Sequence, residues 1–72
     1  MIQNIEGILT QVEENERIYS FPGNWHVNLK DVVELLVRPS GTHRLKTKDG
    51  RMHIIPTGWI HIDILSPKSW VV

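Results

Sequence analysis

Arg44, Lys46, Lys48 and Arg51 crowd around one Asp-Gly pair, and His53, Ile55, Trp59 and His61 follow in the same alternation. Lysines and arginines at this spacing neutralise phosphates, and a flat indole among them stacks on a base or sugar. Arg44, Lys46, Lys48, Arg51, His53, Trp59 and His61 therefore form a candidate nucleic-acid-binding face. The plainer alternative is a solvated face whose cations blunt edge strands and keep a sheet soluble. The acids from Glu13 to Glu16 offer a further one, neutralisation within the chain.

His53 and His61 are expected to face each other across paired strands, about 5 Å apart at Cβ, with Asp63 on the diagonal. Two imidazoles and a carboxylate suit a transition metal. Lys46, the other expected neighbour of His53, disfavours a resident cation, so neither a metal nor a cofactor is assigned. The alternative is a pair of exposed imidazoles that resist protonation together, adding charge to the face only as pH falls.

Arg38-Pro39-Ser40-Gly41-Thr42 combines an arginine, a glycine and flanking hydroxyls, a composition that suits a backbone nest for an anion. Arg38, Ser40, Gly41 and Thr42 are the candidate anion-binding residues. The string resembles the phosphate-binding loop of the phosphohexomutases, Arg-Pro-Ser-Gly-Thr-Glu-Pro, with His43-Arg44 where that motif has Glu-Pro. The resemblance spans about a tenth of the chain. It implies a strand over residues 32–37 but imports no activity, because the multidomain framework of those enzymes does not fit in 72 residues. A plain turn is the favoured reading.

Trp70, Val71 and Val72 close the chain with three apolar side chains, candidates for self-association or a partner contact. Cysteine is absent and no serine sits in a nucleophile elbow, so the chain reads as non-enzymatic.

The elements that must position these residues are read from periodicity. Asp49-Gly50 predicts a two-residue hairpin pairing Lys46 with His53 and Leu45 with Ile54. Pro56-Thr57-Gly58 predicts a second hairpin pairing Ile54 with Ile60 and His53 with His61. The resulting three-stranded meander hides Leu45, Thr47, Met52, Ile54, Ile60, Ile62 and Ile64 and exposes the cations with Trp59. Leu29, Val32, Val33 and Leu36 fall at i, i+3, i+4 and i+7, which predicts a helix over 29–37; a buried strand is the competing reading. Residues 8–12 and 17–21 are read as a hairpin turning through Glu13-Glu14-Asn15-Glu16, with a helix over the stretch 2–21 as the alternative. Pro22-Gly23-Asn24 is a turn by composition.

Seventy-two residues make one small domain, 1–72. The expected class is α+β, mainly antiparallel, in the order β-β-α-β-β-β, with the C-terminal meander curling toward a barrel. Zero net charge hides a balance of −4 over residues 1–37 and +4 over residues 38–72. No apolar run approaches a membrane span and no basic leader opens the chain, so a cytoplasmic domain without a membrane partner is expected. The basic half points to a small binding module for an anionic partner, nucleic acid first. The alternative is a regulatory accessory protein, with a homo-oligomer as one form, that binds an acidic protein surface.

Overall fold

The structure, a computed structural model, describes residues 7–67. Five strands, β1 (Ile8–Phe21), β2 (Trp25–Val37), β3 (His43–Thr47), β4 (Met52–Ile55) and β5 (His61–Leu65), form one antiparallel sheet in the order β4-β3-β2-β1-β5. The sheet is open, with β4 and β5 at its edges. The described residues contain no helix, so the class is antiparallel β rather than α+β.

The expected helix over 29–37 is the second half of β2. Its helical spacing has another cause. Asp31 takes a left-handed φ of 55°, which breaks the pleat, and Leu29 and Val32 on either side both turn inward. A second irregularity against β3, between Val32 and Glu34, then brings Leu35 onto the same core. Extra residues in a strand mimic a three-residue period that normally signals a helix. The short loop Arg38–Thr42 follows directly.

Residues 8–21 are one strand rather than a hairpin, since the polar run at 13–16 lies within β1. The pairing of β1 with β2 slips between Gln11 and Glu14, which bends the strand where the acids cluster. The reversal comes instead at Pro22-Gly23-Asn24, the turn expected from composition, with Phe21 opposite Trp25. Gly23 and Asn24 there adopt φ of 85° and 62°. Both residues tolerate that region.

The Asp49-Gly50 hairpin exists, but in a register one residue from the expected one. Only Gly50 has positive φ. Asp49 accepts from the Thr47 hydroxyl at 2.6 Å and from the Arg51 N–H at 3.1 Å, and these bonds close a three-residue loop. Thr47 N–H donates to Arg51 O at 3.0 Å, so Leu45 lies opposite His53 and Lys46 opposite Met52. One residue of slip turns a strand over. Ile55 and His53 point to the core, while Met52 and Ile54 point outward at 62% and 59% exposure.

The second expected hairpin, at 56–58, does not form. Residues 56–60 carry the chain to the far edge, where Ile60 N–H donates to Ser20 O at 2.8 Å and β5 pairs with β1. The sheet coils so that Tyr19, Phe21, Leu29, Val32, Leu45 and Ile55 meet in one core, flanked by Val12, Val27, Leu35, Trp59 and Ile62. Full burial of each such side chain contributes roughly 1.5–3 kcal/mol.

Candidate functional site: an outer face and a buried polar chain

Registers across four strands set out two rows on the convex side of the sheet. One row runs Gln11, Glu34, Lys46, Met52 and the other Leu9, Leu36, Arg44, Ile54, each from β1 to β4. Leu9, Glu34, Leu36, Arg44, Lys46 and Met52 line a shallow groove of about 220 Å³. Glu34 is engaged by the Gln11 side chain at 2.8 Å. The Arg44 Nε is enclosed without a hydrogen-bond partner among the described residues. Lys48 and Arg51 extend the cationic rim at the hairpin tip, where Arg51 lies 3.8 Å from Asp49 in solvent. A pair so exposed contributes little.

Arg44 and Lys46 thus share a face, as expected, with Lys48 and Arg51 at its rim; Trp59 and His53 leave it, and His61 stays on the convex side but at the opposite edge. Trp59 does not join the cations, because the loop 56–60 swings it inward. It is half-buried, with its ring 5.2 Å from Tyr19 and 4.6 Å from His43. His53 turns inward with β4, and its Nε2 lies 3.3 Å from the Thr47 hydroxyl. His61 sits opposite Ser20 on the other edge strand, so the two histidines are separated by the width of the sheet. Among the described residues no group of three histidine, aspartate or glutamate side chains could hold a metal ion.

The Arg38–Thr42 loop is a tight β2–β3 connection. Arg38 N–H donates to Thr42 O at 2.9 Å, Gly41 N–H to Arg38 O at 2.8 Å, and Thr42 N–H to Ser40 Oγ at 3.5 Å. The Arg38, Gly41 and Thr42 amides are thus committed to the loop itself, and Pro39 has none to offer an anion. Gly41 at φ 92° makes the turn. Trp70, Val71 and Val72 lie outside the described residues.

Sequence reasoning missed a buried chain of polar groups. Arg17 Nη1 donates to Glu14 Oε2 at 2.8 Å, Arg17 Nε donates to the Tyr19 hydroxyl at 3.0 Å, and that hydroxyl lies 2.7 Å from His43 Nδ1. Glu14, Arg17 and Tyr19 are 8%, 5% and 0% exposed. Arg17 occupies one acceptor position on the phenol oxygen, and the His43 tautomer sets which partner donates in the Tyr19–His43 bond. One sequence signal pointed here: Arg17 shares strand parity with Tyr19 and Phe21, and an arginine on a core face requires a carboxylate.

Burial raises the Tyr19 pKa, although the Arg17 charge and hydrogen bond oppose it, so the phenol stays protonated at neutral pH. Burial, then the Arg17 charge, lowers the pKa of His43 from 6.5. Between the depressed folded value and 6.5, the unfolded chain binds more protons than the folded one. His43 therefore destabilises the domain progressively as pH falls through that window, and has no such effect above it. Thermal midpoints measured at decreasing pH should drop less steeply for His43→Gln than for the unaltered protein. Equal slopes would show that His43 is not the responsible group.

Comparison with known proteins gives no match: no family model fits the chain, and no curated protein or solved structure resembles it significantly.

Proposed function

We propose that this domain is a non-enzymatic protein-binding module whose convex face takes an acidic, partly apolar segment of another protein. The observation that carries this reading is the composition of the two rows: Leu9, Leu36, Met52 and Ile54 lie among Arg44 and Lys46 on one continuous surface. Burying the apolar members supplies most of the affinity, at roughly 1.5–3 kcal/mol for each fully buried side chain. The cations select an acidic partner and steer its approach. A nucleic acid is served less well. Trp59 is engaged with Tyr19 and His43, so the indole expected to stack beside the cations is turned away from them. Exposed leucine, isoleucine and methionine offer nothing to a phosphate backbone.

The test is an amide NMR titration with two probes, a peptide of alternating glutamate and leucine and a mixed single-stranded oligonucleotide. The peptide should shift Leu9, Leu36, Arg44, Lys46, Met52 and Ile54, and Ile54→Lys should weaken it at least tenfold. Tight oligonucleotide binding with a steep salt slope, and no response to the peptide, would replace this reading with a nucleic-acid interface.

A further inference from the structure

The two edges of the sheet are protected unequally. β4 is four residues long and flanked by Arg51 and Pro56, both of which discourage another strand from pairing there. β5 reads His61-Ile62-Asp63-Ile64-Leu65 and is flanked directly by Ile60 and Ser66, with Pro67 one residue further on. Its inner edge pairs with β1, and its outer edge has no neighbour among the described residues. Ile60 and Ile64 are 71% and 46% exposed.

We propose that β5 pairs antiparallel with β5 of a second copy, joining two five-stranded sheets into one across a two-fold axis at Ile62. The register follows from charge. Centring on Ile62 sets His61 opposite the partner's Asp63, and Asp63 opposite the partner's His61, on the convex side. It also sets Ile60 against the partner's Ile64, twice, on the core side. Centring on Asp63 opposes two carboxylates, and centring on His61 opposes two imidazoles. A half-step would set isoleucines against polar side chains. Cross-strand pairs of this kind stabilise a ladder, and like charges directly opposite destabilise it. Such a contact is isologous and closes at two copies, which limits further growth along this edge.

His61 and Asp63 are exposed and face Ser20 and Ile18 across β1, so substitutions there reach solvent without entering the core. Sedimentation of the full chain from about 20 to 500 µM should show a monomer–dimer equilibrium in the micromolar range. Asp63→Lys should weaken it at least tenfold, and His61→Glu combined with Asp63→Lys should restore it to within about threefold, with dispersed amide spectra confirming the fold. If Asp63→Lys does not fold, Asp63→Asn takes its place and should weaken the dimer severalfold. A chain monomeric at 500 µM overturns the proposal. So does a dimer indifferent to Asp63, a charge exchange that restores nothing, or a dimer lost instead through Ile54→Lys on the opposite half of the sheet.

Discussion

Arg17→Ala is expected to cost about 3–5 kcal/mol, the range for removing one partner of a buried ion pair. A chain of 72 residues has a total stability of only roughly 4–11 kcal/mol, so the variant loses a large part of its margin. The substitution leaves the Glu14 carboxylate enclosed without its cation, while its second oxygen, Oε1, already lacks a hydrogen-bond partner. It also takes from the Tyr19 hydroxyl one of its two buried hydrogen-bond partners, leaving only His43. Urea unfolding provides the measure. Glu14→Leu together with Arg17→Met should regain most of the loss, because no charge then remains inside. A cost below about 1 kcal/mol for Arg17→Ala would mean that Glu14 finds water in the folded protein.

Leu45→Ala should cost about 2–5 kcal/mol, since the side chain is fully buried beside Tyr19, Val32 and Ile55 and leaves a cavity that a small core cannot close. Its companion measurement tests the register of β4. Ile55→Ala should be costly for the same reason. Ile54→Ala, one residue away on the convex side, should change stability by no more than about 0.5 kcal/mol. The two-residue turn expected from Asp49-Gly50 demands the reverse order. Chemical denaturation of these two variants therefore distinguishes two structures that differ by a single residue of slip.

That slip shows what was legible in the chain and what was not. The antiparallel habit, the turn at Pro22-Gly23-Asn24, the β3–β4 hairpin and the opposed sides of Leu45 and Lys46 all follow from local composition and alternation. The number of loop residues depended on whether Asp49 takes positive φ. Its side-chain bonds to Thr47 and Arg51 decided that, and those bonds exist only once the turn is formed. The helix reading of 29–37 failed because Asp31 and the Val32-Val33 irregularity mimic a helical period within a strand. The split at residues 13–16 failed because a polar run that looks like a turn contains Glu14, whose charge is answered inside by Arg17. Trp59 and His53 were assigned to the wrong face and His61 to the wrong neighbour, since all three depended on the β4 register or on a β4–β5 pairing that tertiary contacts overruled. The cationic pair Arg44 and Lys46 kept its face because β3 did.

β1 and β2 are long enough to serve both halves of the sheet, and this has a kinetic consequence. The hairpin they form closes a loop of only three residues, whereas β5 must find β1 across forty. Loop-closure entropy favours the near pairing first. The first two strands thus act as a template on which β3 and β4 add locally, and β5 completes the ladder last. Its outer edge is consequently the last surface that each folding chain completes.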